Sequence, residues 1–397
     1  MGTKVYLCLL NLLFLALLAN GNPVAGGDGD KVVLCYFEAV SAKKPHQEVR
    51  FFPEDFDLNL CTHVVYNRLM VGEDLRVTPR DRHVDLREDD GLGLVQRTVA
   101  LKEQKPGLKV ILDLYDYDGV IKNKTSTKNQ ESLETFAKNV VDYIQEQGFD
   151  GINFRARENE GFEEVIPVLS GELKKKGLIL MTFMLPRDPE FNPGNDMVEE
   201  MSRNFDLIVV GSYWALPRQG TAIFSPINAL ISAVDEYTSK GIPSEKLVVA
   251  IPAFCVSLIL CEEGDEDDDE GGAKDGGEFG GLNSSVCGPG NEGIHEEPEL
   301  ILYHSEILRK ISNTTEGWVI RRDEETGGQF GYSKTRQWTS FEDPVSVAAK
   351  ASLVLQRNMA GIAMMNSDME DFKGAFTENG ETFPLTRAAH SVFHAGE

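Results

Sequence analysis

Between Gly148 and Glu158 the chain reads GFDGINFRARE, which puts Asn153, Arg155 and Arg157 at alternate positions after Asp150 and Gly151. In a strand, all three side chains point to one face. That face holds one amide and two guanidiniums, and no acid. An arginine stays protonated at any accessible pH, so Arg157 has no proton to give at a useful pKa. Glu158 and Glu160 follow closely, but a neighbouring residue on a strand points the other way, and only a bulge would bring either round. The chemistry open to this row is ion pairing: an unpaired guanidinium inside a fold is prohibitively costly, so Arg155 and Arg157 must meet carboxylates or water.

Such a row needs a scaffold. Short β-rich runs lie at 31–38, 61–67, 108–115, 149–156, 178–185, 206–213, 247–254 and 361–367. Most are nearly continuous apolar runs, as in parallel strands covered on both faces, and helical patterns fit between several of them. Ahead of the fourth run, Leu133, Phe136, Val140, Val141 and Ile144 recur at helical spacing, and Gly148 supplies the stop. Eight such units predict an α/β fold, a (β/α)8 TIM barrel over 22–397. The stretch between the seventh and eighth runs is too long for one βα connection, so a smaller α+β subdomain is expected at about 262–338. Its entry, CEEGDEDDDEGGAKDGGEFGG, contains an acidic, glycine-rich segment at 262–281. Consecutive carboxylates do not fit a calcium loop, and a solvated loop is expected.

Residues 1–21 combine an early lysine, a short apolar run broken by Asn11 and small residues at Ala19 and Gly21. They read as a signal peptide rather than a membrane anchor. Sequons at Asn123, Asn283 and Asn313 fit a glycosylated, secreted, extracellular protein. A formal net charge of -25 argues against nucleic acid and anionic membranes as partners. Cys8 leaves with the leader, so Cys35, Cys61, Cys255, Cys261 and Cys287 remain, an odd number. With no CxxC pair or histidine cluster, neither a metal nor another cofactor is expected, and His63 reads as a core histidine. The apolar content suits a real core, and a monomer is expected.

Several segments in order, VVLCYF with DLNLCTHVVYN, IPSEKLVVAIPAF, GWVIRRDEE and GIAMMNSDMEDFKGAF ending in FPLTRAAHSVF, resemble glycoside hydrolase family 18, the chitinases and the chitinase-like lectins and growth factors. The resemblance covers the chain after the leader almost end to end. The family's fourth-strand signature, DGxDxDxE, falls on Asp150, Gly151, Asn153, Arg155 and Arg157, and only the first two match. In the family the final glutamate protonates the leaving oxygen, and the aspartate before it orients the substrate acetamide that acts as nucleophile. Here both roles fall on arginines. The third-strand SxGG is replaced by Asp113, Leu114, Tyr115 and Asp116, the sixth-strand MxYD by Gly211, Ser212, Tyr213 and Trp214, and the eighth-strand tryptophan by Asn366.

The resemblance implies a pseudo-enzyme with no catalytic residue, a disulfide between Cys35 and Cys61, and ion pairs between adjacent strands, Asp113 with Arg155 and Asp116 with Arg157. Cys261 and Cys287 flank one flexible segment and form the expected second disulfide, which leaves Cys255 free. Tyr36, Tyr115, Tyr117, Tyr213, Trp214 and Asn366 are candidates to line a pocket at the barrel mouth, aromatics stacking on a pyranose face. For Tyr36 and Tyr213 packing in the barrel's inward layers competes with that role, and Trp318 and Trp338 read as structural. The expected partner is a protein, in a signalling or growth-factor-like role. A chitin-like oligosaccharide comes second, and a hydrolase with relocated acids third.

Overall fold

A computed structural model of the chain describes residues 31–125, 130–156, 162–184, 195–211, 220–261, 280–290, 301–377 and 379–395. The eight apolar runs form eight parallel strands: β1 Val32–Glu38, β2 His63–Val71, β3 Lys109–Asp116, β4 Gly151–Ala156, β5 Ile179–Met184, β6 Leu207–Val210, β7 Leu247–Pro252 and β8 Gly361–Met365. Each pairs with the next, and β8 returns to pair with β1 from Val32 opposite Gly361 to Cys35 opposite Met364. The chain is a (β/α)8 barrel, as the apolar runs predict.

Strand parity sorts the side chains. Val33, Cys35 and Phe37 face outward with Val110, Leu112, Leu114, Ile152 and Phe154, under the helices. Leu34, Tyr36, Val65 and Ile111 face inward with Met181, Val209, Val248 and Ala363. The helix Gln130–Gln147 packs Leu133, Phe136, Val140, Val141 and Ile144 against the outer layer, and Gly148 ends it with a left-handed φ of 87°.

The chain leaves β7 at Pro252 and passes through Ala253 straight into a second, antiparallel sheet. That sheet runs from Phe254–Leu260 through Val286–Pro289, Ile301–Tyr303, Val319–Arg322 and Gln329–Tyr332 to Gln337–Phe341, with the helix His304–Ser312 beside it. The subdomain thus begins and ends a few residues outside the expected 262–338. One unbroken apolar run, LVVAIPAFCVSLIL, serves both sheets, so hydrophobicity alone does not mark the handover. The inward barrel cluster continues into this sheet through Val256, Leu258, Phe330 and Trp338, with Trp338 stacked on Phe330 at 6.0 Å. Residues 1–21 and nearly all of 262–281 lie outside the described residues.

Disulfides join Cys35 to Cys61, with Cα atoms 5.9 Å apart, and Cys261 to Cys287, at 5.0 Å. Cys255 is buried and unbridged; its thiol donates to the Leu302 carbonyl at 3.2 Å, and burial pushes it up to about 12. Because the thiolate is the reactive form, iodoacetamide at pH 8 should leave Cys255 unmodified in the native protein and alkylate it after denaturation without reductant. Labelling of the native protein at a free-thiol rate would contradict this burial. Asn123, Asn283 and Asn313 are all exposed. No helix among the described residues is long and apolar enough to cross a membrane.

Candidate functional site

The two halves of the degenerate motif lie at opposite ends of β4. Asp150, just before the strand, sits at the base of the barrel, where its carboxylate accepts from Lys102 Nζ at 3.0 Å and from the Val110 N–H at 2.8 Å. A Cβ at Gly151 would come within 2.2 Å of the Ile179 carbonyl oxygen, so β5 can approach only a glycine. The retained Asp-Gly is therefore a scaffold feature, at the end of the barrel where structural roles gather.

Asn153 and Arg155 face inward near the C-terminal end. Register places Asn153 opposite Asp113 and Arg155 opposite Tyr115 on β3. The Asp113 carboxylate is fully buried; one oxygen accepts from Asn153 Nδ2 at 2.7 Å and Arg155 Nε at 3.0 Å, and the other from Arg155 Nη2. This side-on fork is the strong geometry for guanidinium and carboxylate. Burial opposes the charge on Arg155, and the Asp113 carboxylate outweighs it, so the guanidinium is pushed up from its ordinary value.

Around this pair lies a second set of polar groups. Glu38, at the end of β1, accepts from Asn67 Nδ2 at 2.8 Å and from Arg80 Nη1 at 2.5 Å; burial pushes its carboxyl up while Arg80 and Arg68 pull it down. Asp368 follows β8 and is fully buried, with one oxygen accepting the Glu38 N–H at 3.1 Å and the other lacking a hydrogen-bond partner. Burial pushes it up to about 8. Arg68 and Arg155 both lie over the Tyr115 ring, at 5.2 and 5.1 Å from its centroid.

Among the other candidates, Tyr36 is 1% exposed inside the barrel cluster, and Asn366 is buried at the end of β8. Tyr115 is almost covered, while Tyr117, edge-on to it at 5.7 Å, is 47% exposed. Asp116 accepts the Val120 and Ile121 N–H groups at 2.8 and 3.0 Å, so its carboxylate caps the helix Val120–Thr125. Arg157, Tyr213 and Trp214 lie outside the described residues. His63 is buried beside Thr62 Oγ1 at 2.8 Å, and burial pushes it down to about 4. Glu38, Arg68, Arg80 and Asp368 are the groups that strand patterns alone do not single out. For Glu38 and Arg68 a signal exists, since each ends or follows an apolar run that becomes a barrel strand.

A closed (β/α)8 barrel with its polar groups gathered at the C-terminal ends of the strands, and an antiparallel subdomain between β7 and β8, defines a barrel of the glycosidase type. Residues 32–370 match the family described as Glycosyl hydrolases family 18, and the chain belongs to it. It is 25% identical over 383 residues to Probable chitinase 2 of Drosophila melanogaster, covering 89% of this chain and 75% of that protein. In fold it is similar to catalytic domain 2 of the Ostrinia furnacalis Group II chitinase, with a TM-score of 0.78 at 21% identity over 92% of this chain and 97% of the other. It is also similar in fold to human YKL-39, described as a pseudo-chitinase with retained chitooligosaccharide binding, with a TM-score of 0.76 at 22% identity over 92% and 99% of the two chains.

Proposed function

We propose that this chain is a secreted, non-catalytic family member that acts by binding, with a protein partner in a signalling or growth-factor-like role. The observation that carries this reading is the Arg155–Asp113 pair. The two fourth-strand positions that hold carboxylates in the active family are Arg155 and Arg157 here, and Arg155 is locked to a carboxylate supplied by β3. Losing a general acid typically removes 10² to 10⁴-fold of rate, and the acetamide-orienting carboxylate is lost with it. Asp113 spends its lone pairs on the chain's own donors. The leader-like residues 1–21 and the exposed asparagines of all three sequons support secretion. A second reading, a chito-oligosaccharide lectin, is favoured by the exposed ring of Tyr117.

The purified protein should show no turnover of a fluorogenic chitobioside, and Arg157→Glu should restore little, because Arg155 and Asn366 also depart from the family pattern. Turnover that co-purifies with the protein and survives removal of contaminants would overturn the reading. Large activity in Arg157→Glu would show that the rest of the site is intact.

A further inference from the structure

Among the described residues, one cation at the mouth is not used by the ion-pair network. Arg155 is held by Asp113 and Arg80 by Glu38, but the half-buried Arg68 makes no hydrogen bond or ion pair with any described residue. Its Nε is buried without an acceptor, and burial pushes the guanidinium down while the more distant Glu38 carboxylate pulls it up. Its placement comes from a register shift. Asn67 pairs with Asp113 and Leu69 with Leu114, so Arg68 is the extra residue of a bulge between β2 and β3. On an unbroken strand Arg68 would follow the outward parity of Tyr66; with the bulge Leu69 takes the outward place, and the Arg68 guanidinium lies over the inward-facing Tyr115. Bulges that re-aim a side chain are frequent beside binding sites.

The charges around it do not cancel. Arg68, Arg80 and Arg155 face Glu38 and Asp113, and Asp368, pushed up to about 8, adds no charge at neutral pH. Among these described groups the cations outnumber the anions by one, in a protein whose formal net charge is -25. A guanidinium fork with free N–H donors matches a carboxylate or sulfate. The exposed Tyr117 ring beside Tyr115 gives a flat apolar surface on which a pyranose can stack. The overall negative field repels polyanions, so the matching ligand carries a single anionic group.

We propose that Arg68, lying over the Tyr115 ring against which Tyr117 packs edge-on, binds the oxyanion of an acidic saccharide, a sugar bearing one carboxylate or one sulfate. This deepens the non-catalytic reading and rests on a mouth that binds rather than cleaves; the chitobioside assay tests that reading, and the binding experiment tests the ligand.

The test is titration calorimetry on the full chain at low salt with N-acetylneuraminic acid for the carboxylate, N-acetylglucosamine 6-sulfate for the sulfate, neutral N-acetylglucosamine, tetra-N-acetylchitotetraose and a heparin hexasaccharide. At least one singly charged sugar should bind ten-fold or more tightly than every neutral one and than the polyanion, and whichever binds identifies the oxyanion. Arg68→Gln should lower that affinity about ten-fold or more, and Arg68→Lys should give an intermediate loss because it keeps the charge and loses the fork. Arg68 has no hydrogen-bond partner among the described residues, so both variants should melt within a few degrees of the parent, and Arg68→Lys provides the comparison if Arg68→Gln does not fold. Equal or tighter binding of the neutral sugars or the hexasaccharide, an unchanged affinity in Arg68→Gln, or no binding of either acidic sugar at millimolar concentration would overturn the proposal.

Discussion

Replacing Asp113 by alanine should destabilise the protein by about 3–5 kcal/mol, the usual cost of removing one partner from a buried ion pair. The carboxylate accepts from Asn153 Nδ2 and from two guanidinium nitrogens of Arg155, and its residue has no exposed surface. Without it Arg155, whose side chain is only 13% exposed, keeps its charge and loses the acceptor that offset burial. The double variant Asp113→Ala with Arg155→Ala should recover part of that loss, because it removes the stranded cation as well. Urea unfolding of the parent, both single variants and the double variant gives the coupling directly. A cost below about 1 kcal/mol for Asp113→Ala, or strictly additive effects, would mean that the arginine relaxes into solvent and that the pair does not hold the barrel centre together.

Much of this arrangement was legible in the sequence, because one local rule carries it. Alternation along KVILDLYD sends Val110, Leu112 and Leu114 outward and Ile111 and Asp113 inward, and the same rule on GINFRA sends Asn153 and Arg155 inward. Once the strands are adjacent and parallel, an inward acid and an inward base must be neighbours. The apolar runs likewise revealed all eight strands, since each is covered on both faces.

What was not legible depends on closure and on departures from alternation. Glu38 and Asp368 are 330 positions apart, and only the pairing of β8 with β1 brings them together. Arg68 defeats parity because it sits in a bulge, and bulges leave no mark in a hydrophobic pattern. The subdomain boundary was displaced for a related reason: periodicity reports burial, and burial does not change as the chain crosses from β7 into Phe254–Leu260. The helix-capping role of Asp116 was also not legible, because it depends on where the helix Val120–Thr125 starts, and its expected pairing with Arg157 lies outside the described residues.

The second large effect is a loss of stability as pH rises, and it originates in Asp368. Burial pushes this carboxyl up to about 8, against an ordinary value near 3.9 in an unfolded chain. The folded state therefore binds a proton that the unfolded state releases, so the stability contributed by this group is full below about pH 4, falls as pH rises, and is lost above about pH 8. At about 1.4 kcal/mol per pH unit the full difference is on the order of 5 kcal/mol. Glu38 beside it adds to the effect through its negative charge, while the Glu38 N–H and Lys44 work against it. Glu370, pushed up to about 7 by burial, has the same sign and operates between about pH 4 and 7. Asp368→Asn keeps an acceptor for the Glu38 N–H and removes the ionisation, so the variant should lose less stability between pH 5 and 9 and should exceed the parent at pH 9. Its remaining slope should lie below about pH 7, where Glu370 titrates and the buried His63 and His304, both pushed down to about 4, act with the opposite sign. Urea midpoints measured at one-unit pH intervals would show this directly, and a parallel downward displacement of the whole curve in Asp368→Asn would mean that Asp368 stabilises the fold as an ionised group, contrary to the burial that surrounds it.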